Sequence, residues 1–113
     1  MTPQERILAS YIQARVRGVT NARPAGEIRG ALLAMGLALD RREFAAATQN
    51  IALETGDLGS SDAGYFWCVD EADYDAAYSY IVTRFEPMRD RAERIKRRKA
   101  ERFQPAKALF EVW

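Results

Sequence analysis

Histidine is absent from this sequence of 113 residues, and cysteine occurs once, as Cys68. The chain therefore lacks the side chain that most often serves as a general base and as a metal ligand. A single cysteine excludes a disulfide within the chain, argues against a structural zinc site and fits a reducing compartment. A Gly-rich phosphate loop, a G-x-S-x-G elbow and a spaced carboxylate pair in an apolar pocket are also missing. We therefore expect a protein that is not an enzyme and that holds no cofactor and no metal.

Long hydrophobic runs are missing as well. No stretch approaches the roughly 20 apolar residues that span a membrane. The first residues, "MTPQERILAS", lack the basic and apolar parts of a secretory signal. Hydrophobic residues make up 48% of the chain and charged residues 29%, which is typical of one folded, soluble domain. These features predict a cytoplasmic protein without a membrane segment.

Charge is distributed unevenly along the chain, although the net charge is only +1. Residues 1–43 carry seven basic and four acidic side chains, and residues 84–113 carry ten basic and five acidic ones. Between them, residues 44–83 carry seven acidic side chains and no basic one. Such segregation predicts surfaces of opposite sign, and hence charged partners or self-association, although solvated helix faces would give the same pattern.

Apolar residues recur at helical spacing in two early segments. The first helix is predicted over residues 3–16, with Thr2 as its N-cap and Glu5 completing a capping box. The second is predicted over residues 24–35 and ends at Gly36, where a positive φ suits glycine. The apolar residues that are expected to face inward in these two helices are Ile7, Leu8, Tyr11, Ile12, Val16, Ile28, Leu32 and Met35.

A third helix is predicted over residues 41–54. Asp40 is a suitable N-cap with Glu43 at the third helical position, and Gly56 is a suitable C-cap. The short connection between the second and third helices contains glycine, which is typical of a helix-turn-helix. The segment "RGVTNARP", which separates the first two helices, is expected to be a loop.

A β-hairpin and a long helix are predicted after the third helix. Leu58 begins a very short strand, "SSDAG" forms the loop, and "YFWCV" forms the return strand with alternating faces. Asp70 then caps a helix over residues 71–102, in which Pro87 is expected to cause a kink. Three helices followed by a hairpin indicate a winged helix, in which the hairpin is the wing.

The predicted fold class is therefore mainly α with a small β-hairpin, namely a winged helix-turn-helix with a long C-terminal helix. Residues 1–83 would form the winged helix-turn-helix domain. Residues 84–102 would form a basic extension of the last helix, and residues 103–113 an apolar C-terminal tail.

The segment "LGSSDAGYFWCVDEADYDAAYSYIVTRFEPMRDRAERI" resembles the C-terminal half of small winged helix-turn-helix proteins of bacteriophages and prophages. The shared features are "GS" before the wing tip, "GYF" after it, and a helix that contains Tyr80-x-x-x-Arg84. Upstream, "GLALDRREF" resembles the entry to their recognition helix, so the resemblance covers residues 25–95. It implies a phage protein in the cytoplasm of a bacterial host cell that binds duplex DNA in replication or transcription control.

The predicted recognition helix carries polar side chains on its outer face. Phe44, Ala47 and Ile51 are placed inward, so Arg41, Arg42 and Gln49 would face outward and contact bases in the major groove. The wing would place Ser60 and Ser61 against the DNA backbone. No basic residue follows Arg42 in this helix, however, and the expected wing tip carries Asp62, which weakens phosphate binding.

The basic extension and the tail allow more than one interpretation. The run Lys96, Arg97, Arg98 and Lys99 could track phosphates, could be a solvated helix face with pairs such as Arg97–Glu101, or could meet acidic residues of a second copy in a homodimer. Tail residues Leu109, Phe110 and Trp113 are predicted to bind protein, either as part of a weak likeness to a sliding-clamp peptide or by packing on the domain or on a second subunit. As an alternative function, the acidic face would bind a host protein, and the phage-encoded protein would inhibit or recruit a nucleic-acid enzyme.

Overall fold

Four α-helices, a short 3-10 helix (Val19–Asn21) and one β-hairpin form the regular structure of the described part of the chain. The computed structural model describes the backbone of residues 1–112 and the side chains of residues 1–103. The elements, in chain order, are α1 (Pro3–Arg15), α2 (Ala25–Ala34), α3 (Arg41–Thr55), β1 (Leu58–Ser61), β2 (Gly64–Trp67) and α4 (Glu71–Val112). The fold is thus mainly helical, with a small antiparallel sheet, and it divides into two compact units, Met1–Tyr80 and Ile81–Trp113. No helix among the described residues is long and apolar enough to cross a membrane.

The predicted capping residues fix the ends of the helices. At the start of α1, Thr2 Oγ1 accepts a hydrogen bond from Glu5 N at 3.1 Å, and Glu5 Oε1 accepts one from Thr2 N at 2.7 Å. Asp40 and Glu43 form the same reciprocal pair at the start of α3, at 2.7 and 3.0 Å. Gly56 ends α3 in the left-handed conformation, with φ of 73°. Each pair satisfies two backbone N–H groups that a helix start would otherwise leave unpaired.

One apolar core holds the first unit together. Its fully buried side chains come from all three N-terminal helices and from the hairpin, and they are Leu8, Ile12, Val16, Ile28, Leu32, Phe44, Ile51 and Phe66. For two residues, the prediction that the side chain points inward is wrong. Ile7 is 44% exposed because it lies about 100° around α1 from Leu8, and Met35 is 61% exposed because α2 ends before it, at Ala34.

The hairpin is tighter than predicted. Strand β1 pairs with β2 from Leu58 opposite Trp67 to Ser61 opposite Gly64, which leaves only residues 62 and 63 as the turn. The predicted five-residue loop "SSDAG" is therefore wrong, because its first two residues and its last one belong to the strands. Cys68 follows β2, and its backbone N–H donates to the Asp57 carbonyl at 2.9 Å.

The segment between α1 and α2, expected to be a loop, pairs with the free edge of β2. Trp67 N donates to the Val16 carbonyl at 2.7 Å, and Gly18 N donates to the Trp67 carbonyl at 2.8 Å. Further along, Arg23 and Tyr65 exchange two backbone hydrogen bonds at 2.9 and 3.0 Å. Strand β2 therefore has backbone partners on both edges, and the hairpin is fixed to the chain that links α1 and α2.

Helix α4 begins in the first unit and forms the second unit from Ile81 onward. Its start is capped by Asp70, whose Oδ1 accepts a hydrogen bond from Asp73 N at 2.9 Å, as the sequence predicts. The backbone is helical through Pro87 and continues to Val112, whereas the predicted helix ends at 102. In the second unit Glu101 lies 3.4 Å from Arg98 and 3.8 Å from Arg94, whereas the sequence-based expectation paired it with Arg97.

Candidate nucleic-acid interface

Helix α3 is the element predicted to contact DNA, and the face predicted to point inward is the one that is buried. The capping box holds its first turn, and Gly56 ends its last turn. Its buried residues are Phe44, Ala47, Thr48 and Ile51. Because the predicted inward positions are the buried ones, the opposite side of α3 faces away from the core.

The exposed face of α3 carries Arg41, Arg42 and Gln49. Arg42 and Gln49 are seven residues apart, so they lie on the same side of the helix about 10 Å apart along its axis. Ala45 and Ala46 are also exposed and lie between them. Because each of these side chains is a single methyl group, little projects from the helix between Arg42 and Gln49. This face of α3 can therefore approach the edges of bases closely.

The hairpin packs beside α3, but its predicted contact residues are not at its tip. The ring of Tyr65 in β2 meets the ring of Phe44 in α3 edge to face, with centroids 5.5 Å apart. Ser60 and Ser61 lie within β1 and are half-buried. The exposed turn consists of Asp62 and Ala63. The two serines therefore lie in a strand of the hairpin and not in its turn.

Four arginines of the first unit line two different concavities. Arg15 and Arg23 line one groove together with Arg6. Arg29 lines a different concavity, at the junction of α2 and α3, where its Nε donates to the Leu39 carbonyl at 2.9 Å. Arg29 therefore stabilises the turn that leads into α3.

Sequence reasoning missed Arg6 as a member of this arginine groove. Arg6, Ser10 and Ala14 are spaced by four along α1, which puts them on one face beside the buried stripe. The sequence signal for this face is a polar or small residue at every fourth position of α1. The exposed side chains of Ile7 and Met35 also line the groove, so its lining combines three arginines with apolar side chains.

At least three of the seven acidic side chains in residues 44–83 have structural roles, because Asp70 caps α4 and Asp57 and Asp73 accept hydrogen bonds. The buried carboxylate of Asp73 accepts hydrogen bonds from the backbone N–H of Val19 at 3.0 Å and of Val69 at 2.9 Å. These bonds hold the pKa of Asp73 below its ordinary value of 3.8. The Tyr74 hydroxyl donates to Asp57 at 2.6 Å, which raises the pKa of Tyr74 to about 12. The acidic surface is accordingly smaller than the composition suggests.

The aromatic residues and the cysteine of the hairpin belong to the core. Phe66 is fully buried and Trp67 is 9% exposed, so neither is available for stacking on bases. Cys68 is buried, and its burial raises the pKa of the thiol to about 11. Across the described residues, no group of three or more His, Cys, Asp or Glu side chains could hold a metal ion.

The basic run of the extension lies in the second unit. Lys96, Arg97, Arg98 and Lys99 are all exposed on α4. These four residues belong to Ile81–Trp113, whereas α3 belongs to Met1–Tyr80. The side chains of Leu109 and Phe110, and the whole of Trp113, lie outside the described residues.

Comparisons with known proteins give no further assignment. No family model, no curated protein and no solved structure matches this chain.

Proposed function

We propose that Met1–Tyr80 is a winged helix-turn-helix domain that binds duplex DNA through the exposed face of α3. The observation that carries the proposal is the arrangement of that face: two small residues, Ala45 and Ala46, between the polar side chains of Arg42 and Gln49. The helix that bears them is capped at both ends and fixed to the core by a ring contact with the hairpin. Such a helix can enter the major groove without a side chain blocking it.

Five exposed residues of α3 have a chemical role in this proposal. The guanidinium group of Arg42 would bond O6 and N7 of a guanine, and the amide of Gln49 would bond N6 and N7 of an adenine. The methyl groups of Ala45 and Ala46 would contact the methyl group of thymine. Arg41, in the first turn, would contact a phosphate or a second guanine.

The proposed phosphate contacts lie outside α3. The hairpin would approach the DNA backbone with Ser60 and Ser61 along its edge, and Lys96 to Lys99 would bind phosphates without reading bases. Replication or transcription control in a bacterial host is the role that the resemblance to phage proteins implies for such a domain. A chain that lacks basic residues over 44–83 should bind DNA weakly and lose binding quickly as salt rises.

The test is a fluorescence-anisotropy titration of the full chain with mixed-sequence duplex DNA at two salt concentrations. We expect binding at ~50 mM salt and much weaker binding at ~200 mM, because phosphate contacts release counterions. After the preferred site has been selected from a random duplex library, Gln49→Ala should weaken binding to it at least about fivefold, because one base contact is worth ~1–3 kcal/mol. Gln13→Ala, which truncates an exposed glutamine on α1, is the matched control and should have no effect. Absence of binding at ~50 mM salt, where electrostatic contacts are strongest, would refute the proposal.

A second candidate function rests on the acidic residues that remain exposed. Asp70, Glu71 and Asp75 are exposed around the start of α4, and no basic residue lies nearby in the chain. This surface would bind a basic protein, such as a host enzyme that acts on nucleic acids. A pull-down from bacterial lysate treated with nuclease separates the two candidates. A partner retained by the wild type and lost by Glu71→Lys/Asp75→Lys favours this second function, and retention by the variant argues against it.

A further inference from the structure

Helix α4 exposes a line of apolar side chains within the second unit. Ile81 is 59% exposed, Phe85 56%, Met88 66% and Ile95 65%, and Ala92 is also exposed. Their spacing along the helix is four, three, four and three residues. This is the spacing of the a and d positions of a heptad, which places all five on one seam of the kind that packs against another helix.

Basic residues occupy both edges of this seam. With Phe85 and Ala92 at a positions, the flanking e and g positions between residues 82 and 98 hold one valine and otherwise only basic side chains. These basic flanking residues are Arg84, Arg89, Arg91, Lys96 and Arg98. The acidic residues between 82 and 102 fall on the other side of the helix, at b, c and f positions: Glu86, Asp90, Glu93 and Glu101. The seam is therefore an apolar strip between two positive edges.

A second copy of this chain is a poor occupant of the seam. In a parallel pair, Arg84 would face Arg89 of the second copy, and Arg91 would face its Lys96. In an antiparallel pair, e positions face e positions and g positions face g positions, so basic residues would again meet. Like charges on these facing edges repel each other and therefore disfavour the pairing of two copies of the chain.

We propose that Ile81–Arg102 binds an amphipathic helix of another protein, one with apolar a and d positions and acidic e and g positions, as a two-stranded coiled coil. Charge complementarity identifies this occupant, because acidic edges would pair with both basic edges of the seam. Lys99 and Arg102 occupy the next a and d positions, so an acidic residue opposite them would also fix the register. Pro87 lies at a c position, away from the seam, and leaves it continuous.

This inference goes beyond the proposed DNA binding, because it uses a different unit and gives part of the basic run another role. Lys96 and Arg98 flank the seam, whereas Arg97 points away from it. The two proposals can therefore fail separately: the loss of DNA binding by α3 leaves the seam untouched.

The test is isothermal titration calorimetry of the full chain with two synthetic peptides of about three heptads each. Both peptides have Leu at every a and d position, one with Glu and the other with Lys at every e and g position. We expect the Glu peptide to bind and the Lys peptide not to bind. The double variant Arg89→Glu/Arg91→Glu, which changes one residue on each edge, should weaken binding of the Glu peptide at least about tenfold.

The matched control makes the same charge change away from the seam. Arg94→Glu/Arg97→Glu alters c and f positions and should change the affinity for the Glu peptide less than about twofold. Circular dichroism of both double variants checks that α4 remains helical. Equal losses in the two double variants would show a general charge effect and would overturn the proposal.

Three other results would also overturn it. The first is equal binding of the Lys and Glu peptides. The second is that the Glu peptide does not bind, whereas vesicles of anionic lipid or duplex DNA do. Loss of the vesicle or DNA binding in Arg89→Glu/Arg91→Glu would show that it occurs at the seam. The third is self-association of the chain in sedimentation equilibrium that Phe85→Ser abolishes, because a second copy would then occupy the seam.

Discussion

Substitution of Gly59 by alanine tests how tightly the hairpin is held in the first unit. Gly59 lies in β1, and a Cβ atom there would be 2.7 Å from Cζ of Phe66 and 2.8 Å from Cβ of Ala77. The Phe66 ring is fully buried in the core, and Ala77 belongs to the first turns of α4. The added methyl group would thus be compressed between the core and a helix, so either the strand or the ring must shift.

The expected cost follows from that compression. Overpacking a filled core costs about 1–3 kcal/mol. Replacing glycine by alanine also stabilises a protein by about 0.4–1 kcal/mol, because the unfolded chain loses conformational freedom. We therefore expect Gly59→Ala to lower the free energy of unfolding by roughly 1–2 kcal/mol. In a unit of this size that corresponds to a fall in Tm of about 4–16 °C.

The assay is urea unfolding followed by tryptophan fluorescence, with two comparisons. Gly30→Ala is the matched control, because a Cβ at Gly30 meets nothing within 4 Å, and in a helix interior it should stabilise by about 0.5–1 kcal/mol. Phe66→Leu removes the edge of the ring, so Gly59→Ala should cost less in that background than in the wild type. The packing described for β1 would be refuted if Gly59→Ala had the same free energy of unfolding as the wild type. It would also be refuted if Gly59→Ala lowered that free energy equally in the wild type and in Phe66→Leu.

Three further predictions concern other residues of the first unit. Asp40→Ala removes the N-cap of α3 and should cost about 1 kcal/mol in urea unfolding, whereas Asp75→Ala at an exposed position of α4 should cost much less. Cys68 should react with a thiol reagent at pH 8 only as fast as the protein opens, because burial raises the pKa of its thiol to about 11. Asp73 has a pKa below its ordinary value of 3.8, so its contribution to stability is complete above that pH and is lost as the pH falls through the lower folded value. Asp73→Asn should remove that part of the acid sensitivity, as measured by unfolding between pH 2 and 6.

Specific outcomes would contradict these three predictions. Equal stabilities of Asp40→Ala and the wild type would show that the capping box contributes nothing. Immediate reaction of Cys68 in the native protein would show that the thiol is accessible. Parallel stability profiles against pH for Asp73→Asn and the wild type would show that the carboxylate does not carry the acid dependence.

Local signals predicted those parts of the fold that depend on neighbouring residues. The capping boxes at Thr2 and Asp40, the left-handed Gly56 and the inner face of α3 follow from short-range spacing, and the structure confirms them. Each depends on interactions within about one helical turn, which is why a single sequence suffices to find them.

Pairings between distant residues could not be predicted in the same way. The residues that pair with the free edge of β2 show no strand pattern, since only their backbone atoms take part. Asp73 looked like one acidic residue among seven, but it accepts hydrogen bonds from residues on two separate loops. Its role depends on a burial that composition does not show.

In the candidate site, too, local spacing predicts some features, whereas others depend on the packing of distant residues. The outward direction of Arg42 and Gln49 followed from helical periodicity, because the apolar residues of α3 fixed its inner face. Whether basic residues from elsewhere join that face depends on the packing of separate helices. Arg29, for example, lies on α2, and its guanidinium donates to the Leu39 carbonyl.

The most direct test of DNA binding by α3 is a residue-by-residue NMR titration of the full chain with duplex DNA. Amide resonances of Arg41, Arg42, Ala46 and Gln49 should shift together as DNA is added at low salt, with smaller changes along β1. Shifts confined to the basic helix beyond Ile81, with α3 unchanged at saturation, would contradict the assignment of α3 as the surface that reads DNA.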